Sequence, residues 1–305
     1  MKINAVFEGG GVKGISLVGA VFAAEQCGVT FGQVAGTSSG AIVAALLAAG
    51  YSAEEMTIII RRTPFAAFLK RSQVFNVKYI GPAARLLLRK GLYSGDEMEL
   101  WMRKLLSAKG ISTFADLPPN KLRIIASDIS NGKLLVLPDD IAQYGMNPKR
   151  LEVAKAIRMS ASLPYFFDPV VIKEKQFKTR ISGIRLYHKT AYIVDGGLLS
   201  NFPLWLFDRE QRDQAKPIPV VGFQMVGKNE NRPRTIRGPL SMLTAIFETM
   251  LQAHDERYIE KENRDRTIKI PTLGIRTTQF NLSLEASEQL FESGRLAAEK
   301  YFCER

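Results

Sequence analysis

The sequence predicts an α/β fold: a three-layer α/β/α sandwich around a mainly parallel central sheet. Two observations carry this. Residues 3–50 read as strand, glycine turn, helix, and then the same order again, which is the grammar of parallel strands joined by crossover helices. Further on, short apolar runs suited to buried strands alternate with longer helical stretches. Composition agrees, with 46% hydrophobic and 24% charged residues. A chain of 305 residues is long enough to bury a sizeable core. We expect one domain over 1–305, with a motif-bearing core at 3–208, a helical insertion near 53–110, and a C-terminal strand and helices over 218–305.

The elements follow in order. Ala5–Phe7 is a short buried strand, and a glycine-rich turn follows Glu8. Ile15–Gln26 has helical spacing, with Leu17, Val18, Val21 and Phe22 on one face. Val29–Ala35 is a second strand. Ala41–Ala49 is a small apolar helix that Gly50 ends. The middle is mostly helical through Gly95–Lys109. Leu122–Ser127 and Lys133–Leu137 flank Asn131-Gly132, a strong hairpin dipeptide. Leu151–Met159 is a short helix. Thr190–Val194, Ile218–Met225 and Ile268–Ile270 are strands, with a long amphipathic helix over Leu240–Asn263 and a closing helix over Leu284–Cys303.

The net charge is +12. Between Thr57 and Gly95 there are eight basic residues and no acid: Arg61, Arg62, Lys70, Arg71, Lys78, Arg85, Arg89 and Lys90. They are interleaved with Ile58-Ile59-Ile60, Phe65, Phe68 and Leu86-Leu87-Leu88. Cations among apolar side chains suit an anionic lipid surface; an ordinary helix pair with a solvated basic face fits equally. A second basic stretch, Lys173–Lys189, reads as a surface hairpin. No nucleic-acid module is visible, so no nucleic-acid partner is expected. Cys27 and Cys303 form no disulfide framework and suit a reducing compartment. No signal peptide or transmembrane helix is evident, and a cytoplasmic or peripheral-membrane setting is expected.

The chemistry concentrates in three glycine turns. Gly36-Thr37-Ser38-Ser39-Gly40 is a G-x-S-x-G turn between a strand and a helix. Such a turn holds its serine on a sharp bend with the hydroxyl exposed, and a helix N-terminus below it favours developing negative charge. Ser38 is the candidate nucleophile. Gly9-Gly10-Gly11-Val12-Lys13-Gly14 leaves bare backbone N–H groups that suit an oxyanion hole. It also matches a dinucleotide fingerprint, but the next strand ends in Ala35-Gly36-Thr37, with no acid to hold a ribose. Asp195-Gly196-Gly197 offers the base. The histidines are His188 and His254. His254 lies on the apolar stripe of a helix, a position more often packed than catalytic, although the order Ser38, Asp195, His254 fits an α/β-hydrolase triad. Against that triad, the nucleophile at position 38 comes earlier than such a fold allows.

These motifs together resemble the patatin-like phospholipase family. The likeness rests on Gly9–Gly14, Gly36–Gly40, the block Ser160-Ala161-Ser162-Leu163-Pro164, and Asp195-Gly196-Gly197 followed by Asn201 and Pro203. The resemblance implies a Ser38–Asp195 dyad without histidine, an oxyanion hole from Gly10 and Gly11 with Gly9 as a further donor, and supporting roles for Lys13, Gly14, Gly36, Gly40, Gly196 and Gly197. It implies a phospholipid or lysophospholipid substrate and no metal or other cofactor. An aspartate serves as base for a serine hydroxyl only where a dry cleft raises its pKa.

Overall fold

The computed structural model describes residues 1–69, 85–86, 88–173, 190–211, 217–227 and 264–304, with isolated positions between 236 and 249. The strands are β1 (Lys2–Phe7), β2 (Thr30–Thr37), β3 (Gly91–Tyr93), β4 (Leu122–Asp128), β5 (Lys133–Leu137), β6 (Tyr165–Phe167), β7 (Val170–Lys173), β8 (Thr190–Asp195), β9 (Val220–Val226) and β10 (Thr267–Pro271). The helices are α1 (Ile15–Gln26), α2 (Ser39–Ala48), α3 (Ala53–Arg62), α4 (Asp96–Ala108), α5 (Val153–Ser160), α6 (Trp205–Gln211) and α7 (Leu284–Phe302). The large sheet runs β10-β9-β1-β2-β4-β8-β7, with β5 also paired to β4. Its β10-β9-β1-β2-β4 portion is parallel, whereas β5, β8 and β7 join antiparallel. The three-layer, mainly parallel architecture expected from the sequence is the one observed.

Strand register places the three turns. Phe7 pairs with Gly36, so the turns that leave β1 and β2 start side by side. Thr37 pairs with Ile125 of β4, and the next residue, Ala126, pairs with Asp195. A single strand therefore separates the serine turn from the aspartate. β1 is buried from Ile3 to Phe7 on both faces, as a central parallel strand must be.

α1 is buried almost all round rather than along the one face that its spacing predicts. The reason is α7, which packs along it from outside. A methyl group on Gly19 would lie 1.9 Å from the Phe291 carbonyl oxygen, and one on Gly294 would lie 1.7 Å from that of Ser16. Only glycines allow the two backbones this close. The same packing brings the helix C-termini together, where Cys27 and Cys303 form a disulfide with Cα atoms 5.7 Å apart. This corrects the expectation of two unpaired thiols, and the inference of a reducing compartment loses its support. A separation of 276 residues hides such a pair from any local reading.

Among the described residues no helix is long and apolar enough to cross a membrane. The basic hairpin expected at Lys173–Lys189 and the helix expected at Leu240–Asn263 lie almost wholly outside the described residues, as do Lys70, Arg71 and Lys78. Within the remainder of the basic segment, Arg61, Arg62, Arg89 and Lys90 are exposed. Arg85 is not: it is buried and donates to both carboxylate oxygens of Asp168, at 2.7 and 2.8 Å.

Candidate active site

Ser38 stands at the N-terminus of α2 with φ 53° and ψ −121°, a conformation that L-residues rarely adopt. Its surroundings hold it there. The Ser38 N–H donates to Ser160 Oγ at 2.8 Å, and Ser160 Oγ donates to the Ile125 carbonyl at 2.5 Å. The Ser38 carbonyl accepts from Ala41 N at 3.0 Å, which starts the helix. The flanking glycines are required by close approach. A Cβ on Gly36 would lie 2.4 Å from the Gly40 backbone, and one on Gly40 would lie 2.2 Å from the Phe7 carbonyl oxygen.

Asp195 ends β8 and is 3% exposed. Its N–H donates to the Ser162 carbonyl at 2.9 Å, and its Oδ1 accepts from Gly197 N at 2.8 Å. The Ser38 side chain lies near enough to the carboxyl to draw its pKa down. Gly196 makes the turn possible, because a Cβ there would lie 2.2 Å from the Ile125 carbonyl oxygen. Burial pushes the Asp195 pKa up from 3.8 to about 7, against the opposing pull of the Gly197 amide and the Ser38 hydroxyl. One short loop thus grips both groups: Ser160 holds the backbone of Ser38, and Ser162 holds that of Asp195.

The first glycine turn abuts Ser38, with the Cβ position of Gly9 3.2 Å from Ser38 Cβ. Its amides are not equivalent. Gly9 N donates to the Asn201 carbonyl at 3.2 Å, and Gly10 N donates to Ser39 Oγ at 3.0 Å. Gly11 takes φ +58° and packs against the Thr277 carbonyl, which accepts from Val12 N at 3.3 Å. Lys13 N donates back to the Gly10 carbonyl at 3.2 Å, closing the turn. Gly14 begins α1 against Ser39, 2.8 Å from its Cβ position to Ser39 Cβ. Beneath the turn, buried Glu8 accepts from Met225 N, and buried Asn201 donates to the Gly9 carbonyl at 3.1 Å.

Ser38 and Asp195 face a partly open cleft, lined almost wholly by apolar side chains. Ile42 and Leu46 of α2, Trp101 of α4, and Phe280 are among them. Thus the sequence-named groups Ser38, Asp195 and the glycine turns come together. The sequence reading missed Ser39, which takes up the Gly10 amide, and the pair Thr277 and Phe280, which nothing local marks. It noticed the Ser160–Pro164 block and Asn201 but not what they bind. His188 and His254 lie outside the described residues.

The site thus combines a mainly parallel sheet, a strained serine between strand and helix, a carboxyl beside it and an apolar cleft in front. The sequence pattern of the family described as Patatin-like phospholipase matches residues 5–208. The chain belongs to that family. It is 41% identical over 302 residues to an uncharacterized protein of Bacillus subtilis, YqhO, covering 99% of this chain and 98% of that one. It is 25% identical over 209 residues to a probable lipid hydrolase of an invertebrate iridescent virus, covering 65% of this chain and 61% of that one. Its fold is similar to that of VipD from Legionella pneumophila, with TM-score 0.57, 16% identity, and coverage of 99% of this chain and 67% of that one.

Two outcomes follow from this geometry. Ser160→Ala leaves the part-buried Ser38 N–H without its acceptor and should lower the unfolding free energy by about 1 kcal/mol, read by urea denaturation. Asp195 behaves opposite to a paired surface carboxylate. Its native pKa of about 7 exceeds 3.8, so the native state holds a proton that the unfolded chain releases. Its contribution to stability therefore falls between about pH 4 and 7 and then levels off. Asp195→Asn removes that slope, so the variant should gain on the parent by on the order of a few kcal/mol between pH 4 and 8.

Proposed function

We propose that this chain is a lipid acyl hydrolase of the phospholipase A or lysophospholipase type, acting through Ser38 and Asp195. The observation that carries the reading is a buried carboxyl with a pKa raised to about 7, next to a strained serine at an apolar cleft. A base is most effective when its pKa lies near the working pH, and burial supplies that here. The apolar cleft takes the acyl chain and keeps water from the carboxylate.

In this mechanism Ser38 Oγ attacks the ester carbonyl carbon while its proton passes to Asp195. The carbonyl electron pair moves to oxygen, which faces the first glycine turn. Gly9 N is engaged by Asn201, so the donors assigned to the oxyanion are the N–H groups of Gly10 and Gly11, the former released from Ser39 Oγ. The tetrahedral species collapses, the C–O bond to the leaving alcohol breaks, and the alcohol takes the proton from Asp195. Water then attacks acyl-Ser38, giving its proton to Asp195. Collapse returns a proton to Ser38 Oγ and frees the fatty acid.

The exposed cations Arg62, Arg89 and Lys90 support a further part of the reading, contact with an anionic lipid surface through the segment Arg61–Lys90. Arg85 has no part in it, being engaged with Asp168.

Ser38→Ala and Asp195→Asn should each abolish release of fatty acid from phospholipid and lysophospholipid while the circular dichroism spectrum is kept. In the parent, kcat/KM should rise with pH through an ionisation near 7, because only ionised Asp195 accepts the proton. A full rate in Asp195→Asn, or covalent fluorophosphonate labelling at a residue other than Ser38, would refute the dyad. Reversing Arg62, Arg89 and Lys90 to glutamate should weaken binding to vesicles rich in phosphatidylserine at least about tenfold in a flotation assay.

A further inference from the structure

Among the described residues, those of α2 and its N-cap that line the cleft run from Ser38 to Leu46. We propose that the cleft measures the acyl chain, so that the site takes medium-chain acyl groups of about eight to ten carbons and Leu46 sets the limit. This rests on the hydrolase reading above and deepens it to a substrate class.

One face of α2 lines the cleft, through Ile42, Val43 and Leu46. Leu46 lies two turns beyond Ser38, about 12 Å at 1.5 Å per residue, and an extended acyl chain advancing about 1.3 Å per carbon covers that in about nine carbons. The neighbouring helices end their contribution at a similar depth. Among the described residues α1 supplies Ile15 and Val18 but not Phe22, and α4 supplies Trp101 but not Leu105. Just past these positions the chain that leaves α2 is tied to α4. The buried Tyr51, which follows α2, donates its hydroxyl to the Leu105 carbonyl at 2.7 Å. Leu46 itself is 2% exposed, packed into the core at the cleft wall. A longer chain must displace packed side chains or double back toward solvent. Up to the limit each buried methylene should raise affinity about fourfold, and beyond it the gain should cease.

The test uses Ser38→Ala protein titrated with saturated methyl esters of roughly six to sixteen acyl carbons below their aggregation limits, so that the gain per methylene is read directly. Fluorescence of Trp101 in the cleft wall reports binding. Affinity should climb to about ten carbons and then stay level. Leu46→Ala in the same background should move the break up by about two carbons, and Leu46→Phe should move it down. If Leu46→Ala does not fold, the Leu46→Phe shift decides. A climb that continues to sixteen carbons, or a break that ignores Leu46, overturns the proposal. Turnover of the same esters by the unsubstituted protein is measured in parallel. A clear break without turnover would sink the hydrolase reading and leave the measuring cleft standing; turnover without a break would sink the measuring cleft alone.

Discussion

Everything at the site depends on how closely the first turn of α2 lies against the end of β1. Gly40 faces the Phe7 and Glu8 carbonyls with no room for a methyl group. That contact sets the serine turn beside the glycine turn and forces Ser38 into its strained backbone conformation. Strain of this kind costs of order 1–3 kcal/mol and persists only where neighbours over-determine it. Here they do. Sheet register fixes one side, the helix fixes the other, and the Ser160 hydroxyl takes the displaced N–H.

Placement alone would leave an inert serine, and the second requirement is a base. A solvated aspartate is ionised far below neutral pH and has little appetite for a hydroxyl proton. Burial changes this by disfavouring the charge, and the Gly197 amide and the nearby Ser38 hydroxyl only partly offset it. The carboxyl is thus poised rather than simply neutral or simply charged. The folded state carries a destabilised group at its centre, and the cost is met by the surrounding core, which runs without a break from Ile3 on β1 to Ala298 on α7.

How much of this could be read beforehand follows from the range of each constraint. The strand–turn–helix units were legible because a tight turn needs glycine at fixed local positions, and Ile15–Gln26 and Lys133–Leu137 have the bounds that the spacing gave. The meeting of Ser38 with the glycine turn followed from parallel pairing of successive strands. The Cys27–Cys303 bond was not legible, since it arises from packing between the two ends of the chain. Arg85 was misread as a surface cation because its partner, Asp168, comes from a distant segment. Ser39 was passed over because its role depends on where the Gly10 amide points, which only three dimensions reveal.

The residues beyond position 208 bear on what the site can do. The family pattern ends there, yet the following segment delivers Thr277 to the glycine turn and Phe280 to the cleft. Phe280 stacks on Phe166 at 5.4 Å, and Val12 N donates to the Thr277 carbonyl. Those contacts hold only if the chain returns across the sheet through β9 and β10 and is pinned by α7 against α1. In the proposed mechanism the core motifs thus supply the reacting groups, while the C-terminal segment shapes the cleft wall. Two chains with the same three glycine turns can therefore share a mechanism and still differ in what they accept.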